Sequence, residues 1–408
     1  MERIIAGIDV GSTKICTLIG RVSDSGPLNV IGMGVVPSRG VRRGVITDIE
    51  VASRSIEESV RKAQNMAHYT ISEAYLGISG SHIASQNSRG AVSIGRGDRP
   101  VDREDIQRVL EDAEAIAVPH NRRILHTIPR EYIIDGQEGI KNPIGLMGFR
   151  LEVEAHIVTG STTCIQNLEQ CVERNQIRVV DSVFQPLASA LAVLTEEEGR
   201  MGVVLIDMGG GTTDLATYMD SSVWETMVFD VGGNHISNDI AVMLRTPFAA
   251  AEEAKIRYSH ALPMEVDEAE MIELSAFGHD GLATVARREL CEIVEARVEE
   301  MFGIIARDIR RSGYEDLVPA GIVLTGGTSD LRGIRDGASR ALQMPVRIGV
   351  PHRMHGVVEA VSNPAYATAV GLLLWGMKAA ADKDEVPLVQ HPRTFYEMVK
   401  AMFKRLVP

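Results

Sequence analysis

Val203-Val204-Leu205-Ile206-Asp207-Met208-Gly209-Gly210-Gly211-Thr212-Thr213-Asp214 is an apolar run that ends in an aspartate, breaks on glycines and resumes as Leu215-Ala216-Thr217-Tyr218. The pattern is strand, glycine turn, strand. About 200 residues earlier the chain carries a second copy, Ile4-Ile5-Ala6-Gly7-Ile8-Asp9-Val10-Gly11-Ser12-Thr13-Lys14, followed by Ile15-Cys16-Thr17-Leu18-Ile19. A single glycine hairpin is commonplace. Two matched ones imply two related halves, each offering a hairpin to one shared ligand.

The turn chemistry points to phosphate. Gly11, Gly209, Gly210 and Gly211 let the backbone approach a ligand closely. Their successive N–H groups form an anion-binding concavity. Ser12, Thr13, Thr212 and Thr213 add hydroxyl donors, and Lys14 adds a point charge. Asp9 and Asp207 repel phosphate, so they belong there only with a cation between. Mg²⁺ is the cation that takes one or two carboxylates together with phosphate oxygens and waters.

Composition narrows the class. A chain of 408 residues implies two or more domains. Its 45% hydrophobic content indicates a soluble globular protein, and a net charge of −13 argues against nucleic acid as a partner. Cys16, Cys164, Cys171 and Cys291 show neither CxxC nor zinc spacing, which suits a reducing compartment. No secretory signal and no membrane-spanning stretch is expected.

Along the chain, residues 28–36 predict a strand. Residues 48–68 predict a helix with Ile49, Ala52, Ile56, Val60 and Ala63 on one face, and 74–78 a strand. From about 82 to 160 the pattern changes to a compact α+β insertion. It comprises a short strand pair at 84–94, a helix capped by Asp102 with Asp105 three residues on, strands at 124–134 and 148–158, and a loop at 136–145. A helix and a strand follow at 161–180, and Gln185-Pro186 opens a small-residue helix. The second half repeats the first: a hairpin at 203–218, a strand near 223–230, then Gly232-Gly233. Residues 233–314 read as mostly helical, with a long helix at 282–312. Ile322-Val323-Leu324-Thr325-Gly326-Gly327 is a strand entering a turn, with a helix at 331–342 and a last core helix from Asn363-Pro364.

Together these pieces resemble the actin, sugar kinase and Hsp70 superfamily. Within it, Gly77-Ile78-Ser79-Gly80-Ser81-His82, Ile124-Leu125-His126-Thr127-Ile128-Pro129-Arg130-Glu131-Tyr132, the segment 145–152 and His156-Ile157-Val158-Thr159 are similar to the FtsA family of bacterial cell-division proteins. The resemblance covers nearly the whole chain. It implies an α/β, actin-like two-lobed ATPase fold with duplicated ribonuclease-H-like domains, an FtsA-type α+β insert and a C-terminal amphipathic helix. The implied division is 1–81 with 161–194 as subdomain 1A, 82–160 as the inserted subdomain 1C, 195–232 with 315–377 as 2A, 233–314 as helical 2B, 378–393 as a linker and 394–408 as the membrane helix.

The resemblance also implies residue roles. The two turns become phosphate motifs for ATP or ADP with Mg²⁺ held by Asp9 and Asp207. Gly326 and Gly327 form the adenosine motif, and Gly232 and Gly233 line the cleft from the other side. Glu252 and Lys255, three apart on one helix face, meet ribose and adenine; from spacing alone they are equally a solvated ion pair. Gln185 stands where relatives place a water-orienting group, and Asp207 positions water through its hydration shell. Otherwise Gln185 is only a polar helix start. Nothing here demands fast chemistry, so at most slow hydrolysis is expected. The segments 186–192 and 365–371 resemble the two connecting helices that cross to form an interdomain hinge.

Near the C-terminus, residues 379–392 turn polar and Pro-containing, as a linker does. Beyond them Phe395, Met398, Val399, Met402, Phe403 and Leu406 follow helical spacing, with Lys404 and Arg405 among them. Such a helix lies in a membrane interface with its cations toward anionic headgroups. Each large apolar side chain gains about 1.5–3 kcal/mol on burial. Ordering the backbone costs about 1–2 kcal/mol per residue. The two nearly cancel, so attachment is reversible unless a filament presents many helices together.

By resemblance the partners are the FtsZ C-terminal tail, further copies of the chain in a filament, and later division proteins. The site of action is the cytoplasmic face of the cell membrane at the division site. The FtsZ surface falls on 233–314, where Arg287, Arg288, Arg297, Arg307, Arg310 and Arg311 either meet an acidic tail or form a solvated face. The competing readings are an active ATPase or sugar kinase on the same fold, and a pilus-assembly relative.

Overall fold

A computed structural model describes residues 2–23, 27–95, 99–115, 118–277, 282–352, 354–356 and 358–381. The last helix runs on to Ala381 and takes in the first residues of the expected linker; the rest of the linker and the whole of the expected amphipathic helix at 394–408 lie outside the described residues.

Two sheets repeat one topology. In the first, the hairpin strands Arg3–Val10 and Lys14–Val22 are antiparallel. Leu28–Pro37 continues beyond the second of them, and Glu73–Ile78 lies parallel to the first. In the second, Val203–Met208 and Thr213–Met219 form the hairpin, Ser222–Phe229 extends it, and Ile322–Thr325 lies parallel on the other side. Register makes the equivalence specific: Asp9 pairs with Cys16 and Asp207 with Asp214, one step before each turn. Hairpin strands buried along nearly their whole length need cover on both faces. On the first lobe the helix Ile49–Ala67 provides part of that cover. Asp48 caps it, accepting from Val51 N–H at 3.0 Å, and Ala52, Ile56, Val60 and Ala63 are buried.

Two helices join the lobes. Gln185–Val193 and Ala367–Ala381 pack between the sheets in one apolar cluster with Cys16 and Leu18 of the first lobe and Leu205 and Val323 of the second. They cross so closely that a Cβ on Gly371 would stand 1.9 Å from the carbonyl oxygen of Ala188.

The inserted unit is a sheet in the order Ala84–Ser93, Arg150–Ser161, Arg122–Ile134, Gln137–Ile140, covered by the helix Arg103–Glu114. Residues 84–93 form one strand, not the expected pair, with its partners running from Ala84–Thr159 to Ser93–Arg150. Gly90 is the reason. It makes no turn; it lets the helix settle on the strand, and a Cβ there would lie 2.2 Å from the carbonyl oxygen of Val109. Residues 136–145, expected as a loop, hold the short strand Gln137–Ile140. Asp135 and Gly136, at φ 49° and 87°, supply the positive φ that a two-residue hairpin turn requires.

In the mostly helical region the long helix begins at Arg287, not 282. Leu282–Ala286 pairs instead with Met271–Ser275. Similarly, the helix expected at 331–342 runs Ile334–Leu342, because Gly333 adopts φ 75° before it.

Candidate functional site

The two glycine turns close alike. Gly11 N–H donates to the Lys14 carbonyl at 3.0 Å, and Gly209 N–H to the Thr212 carbonyl at 2.9 Å. They also abut. A Cβ on Gly210 would fall 1.8 Å from Thr13 Oγ1, and one on Gly211 2.5 Å from Ser12 Oγ. Only glycine permits this approach.

Beside the paired turns lies a cavity of about 400 Å³, lined by Asp9, Gly11, Ser12, Thr13, Lys14, Gln185, Asp207, Gly209, Gly210, Gly211, Thr212, Glu252, Lys255, Gly326 and Gly327. The volume suits a small organic ligand. Thr213, Gly232 and Gly233 are not among its walls. Gly232 and Gly233 instead buttress the second turn from behind. Gly233 N–H donates to the Gly209 carbonyl at 3.0 Å, and Asn234 N–H to that of Gly210 at 2.8 Å. Thr213 Oγ1 is spent on the Val231 carbonyl at 2.8 Å. Asn234, Asp214, Thr328 and Arg332 line the cavity without having been singled out from sequence. Asp214 carried a signal: it ends the glycine-threonine run and pairs in register with Asp207.

The aspartates are held by side chains from both halves. Gln185 Nε2 donates to Asp9 Oδ1 at 2.9 Å. Ser189 Oγ donates to Asp207 Oδ2 at 2.5 Å, and Thr368 Oγ1 to the same oxygen at 3.3 Å. Ser79 Oγ donates to Asp214 Oδ1 at 2.5 Å. Burial pushes the Asp9 carboxyl up to about 7, opposed by Lys14 and reinforced by Asp207. Burial pushes Asp214 up to about 8 against its Ser79 hydrogen bond, with Asp207 and Asp9 adding to the rise. Asp207 is raised by burial too, against the hydroxyls of Ser189 and Thr368. Three buried carboxylates around one cavity create a strong demand for positive charge.

Lys14 meets part of that demand. Its ammonium donates to the Ala365 carbonyl and lies 4.0 Å from the centre of the Tyr366 ring. Among the described residues no group of three or more His, Cys, Asp or Glu is placed to hold a metal by itself. A divalent ion here would use one or two carboxylates and take its remaining ligands from phosphate and water, as Mg²⁺ does. The residues therefore fit a nucleotide–Mg²⁺ group.

On the far wall, Lys255 Nζ reaches Glu252 Oε2 at 2.8 Å, Ser237 Oγ at 2.9 Å and the Gly233 carbonyl at 3.1 Å. Glu252 and Lys255 thus belong to a half-buried network in the cavity wall, not to a solvated face. Three of the arginines in 287–311 are already paired within the chain: Arg287 with Glu270 at 2.6 Å, Arg288 with Glu268, and Arg297 with Asp239 and Glu300. Among the described residues no helix is long and apolar enough to cross a membrane.

Known proteins share this architecture. A family model described as "Cell division protein FtsA" matches residues 204–371, and one described as "SHS2 domain inserted in FTSA" matches 80–159. The chain is 45% identical over 380 residues to cell division protein FtsA of Pseudomonas aeruginosa, covering 93% of this chain and 91% of the relative. Among solved structures, a PilM-PilN type IV pilus biogenesis complex aligns with TM-score 0.67 at 16% identity, covering 91% of this chain and 98% of the other. MreB5 of Spiroplasma citri bound to ADP aligns with TM-score 0.58 at 14% identity, covering 94% and 99%. The fold is accordingly actin-like, with an SHS2 insert. On the strength of the sequence identity along nearly its full length, the chain belongs to the FtsA family of cell division proteins.

Proposed function

We propose that this cell-division protein binds ATP or ADP with Mg²⁺ between its lobes and assembles into actin-like filaments. In this reading it tethers the FtsZ ring to the cytoplasmic face of the membrane through residues 394–408 and helps recruit later division proteins. The observation that carries the nucleotide part is the pair of turns with identical closures, abutting beside one cavity with Asp9 and Asp207 at equivalent positions. Gly11 through Lys14 and Gly209 through Thr212 bind phosphates, while Thr213 braces the second turn from behind through the Val231 carbonyl. Gly326, Gly327, Glu252 and Lys255 bind the nucleoside, with Gly232 and Gly233 holding the second turn. Asp9 and Asp207 hold the ion.

Gln185 orients the attacking water. Its Nε2 is anchored on Asp9, which leaves Oε1 to accept from water. No further acid–base group is recruited, so hydrolysis is slow and nucleotide acts mainly on conformation. The proposed functional division is 1–81 with 161–194, 82–160, 195–232 with 315–377, 233–314, a tether over 378–393 whose first residues, 378–381, continue the last helix, and the membrane-targeting segment 394–408.

Asp207→Ala and Gly210→Asp should abolish ATP binding in titration calorimetry, and wild-type affinity in both would remove the assignment. Deleting residues 394–408 should abolish cosedimentation with anionic liposomes while leaving ATP binding intact. A pulldown with the FtsZ C-terminal peptide separates this reading from a sugar kinase, which would not retain it.

A further inference from the structure

One helical turn of the first connecting helix touches both lobes. Gln185 and Ser189 are four residues apart and share a face. Gln185 holds Asp9 of the first lobe at 2.9 Å, and Ser189 holds Asp207 of the second at 2.5 Å. The second connecting helix reaches the same place: Thr368 Oγ1 lies 3.0 Å from Ser189 Oγ and 3.3 Å from Asp207 Oδ2. This node is one residue from the point where the helices touch, Ala188 against Gly371. Ser189 is fully buried, so its hydroxyl has no solvent to turn to.

Asp207 is divided between two tasks. Oδ2 belongs to the hinge hydroxyls, while Oδ1 lies toward the Gly326 turn, where a Cβ on Gly326 would be 2.4 Å away. The two oxygens share one rigid plane, so turning one toward a new partner turns the other away from Ser189. The hydroxyl then has a second acceptor within reach, Thr368 Oγ1. Two discrete hydrogen-bond arrangements are available at the helix crossing, which is what a coupling element needs.

We propose that Ser189, seconded by Thr368, is a positioning residue that ties the orientation of the Asp207 carboxylate to the crossing of the two connecting helices, so that ligand arriving in the cavity resets the angle between the lobes. This rests on the reading of the cavity as a nucleotide–Mg²⁺ site.

The test uses the full chain in a Cys164→Ser background, since Cys16, Cys171 and Cys291 are buried. Spin labels at Met66→Cys on the first lobe and Met243→Cys on the second, both surface positions, report interlobe distance by pulsed electron resonance. Calorimetry on the same samples reports ATP–Mg²⁺ affinity. In the wild type, ATP–Mg²⁺ should shift the distance distribution. Ser189→Ala should bind ATP within about tenfold of wild type, the worth of one charge-assisted hydrogen bond, yet lose most of the shift. Ser189→Thr should restore it. A full shift in Ser189→Ala overturns the proposal while the nucleotide reading stands. No ATP binding by the wild type overturns both. Should Ser189→Ala fail to fold, as judged by its melting curve, Thr368→Val takes its place with a partial loss of shift expected, and a full shift there is equally fatal.

Discussion

At the scale of single residues, the site is governed by carboxylates deprived of water. Asp9 and Asp214 are raised to about 7 and about 8. A carboxyl raised on folding binds its proton more tightly in the native state, so stability is lost as pH climbs from the unfolded value of 3.8 through the folded one. His156 opposes this at lower pH: burial holds it down at about 4, so it adds stability as pH rises toward 6.5. Above pH 6.5 the unfolded histidine loses the rest of its charge within about one unit, so its gain fades there while the raised aspartates go on losing stability. Without nucleotide or Mg²⁺, the melting temperature should therefore fall between pH 6.5 and 8.5. Asp214→Asn, which mimics the protonated acid, should flatten that fall; an unchanged slope by circular dichroism would contradict it.

Gly210 gives a second test. Alanine would gain about 0.4–1 kcal/mol by restricting the unfolded chain. Its Cβ would overlap Thr13 Oγ1 at 1.8 Å, with Thr13 Cβ itself only 3.1 Å away. Overpacking costs about 1–3 kcal/mol. The clash wins, so Gly210→Ala should destabilise by that order in urea titration and weaken ATP binding.

At the scale of elements, the crossing of the connecting helices decides how the lobes are held. Gly371→Ala should gain about 1 kcal/mol of helix propensity. The new methyl, however, would meet a backbone oxygen at 1.9 Å, which no rotamer change relieves. Net destabilisation by denaturant is the expected outcome. The insert depends on a different device. Asp105, fully buried, caps its helix reciprocally with Asp102 and receives both Arg99 and Arg108. Removing one member of a buried pair costs about 3–5 kcal/mol, but both guanidiniums are more than a third exposed, so Asp105→Ala should cost about 2–3 kcal/mol. Asp105 is not among the cavity walls, and ATP affinity by calorimetry should be unchanged.

At the scale of the whole molecule, the insert belongs to the first half of the chain yet leans on the second lobe. His156 bridges Asn87 Oδ1 at 2.7 Å and Thr226 Oγ1 at 2.9 Å. Ser85 donates to the Thr226 carbonyl at 2.8 Å, and the Arg130 guanidinium stacks 3.7 Å over Trp224. Trp224→Ala would strip this cover from an arginine that is 9% exposed. A loss of about 1–2 kcal/mol for the cation–π contact is expected, together with earlier proteolysis of the insert during thermal unfolding. Simultaneous cleavage in wild type and variant would show that the contact does not couple the two bodies.

Much of this was legible in the sequence, because it is written in local patterns. The two turns follow from aspartate, glycine and hydroxyl residues in a fixed order between apolar runs. The helix at 48–68 follows from its apolar stripe, and the insert from a change of periodicity. The same locality misled over 84–94, where one continuous strand reads as a short pair. Ser189 and Thr368 left no mark at all, since a lone hydroxyl in a small-residue helix breaks no period. Their importance arises only when residues 18 and 161 positions away come within hydrogen-bond reach of Asp207. The sequence alone determined which elements form and which chemistry the turns offer, because backbone propensity and side-chain periodicity act over a few residues. Tertiary structure alone decided that the two turns abut, that three carboxylates are buried together and that the connecting helices grip two of them, because those relations depend on packing between segments with no local signal of their meeting.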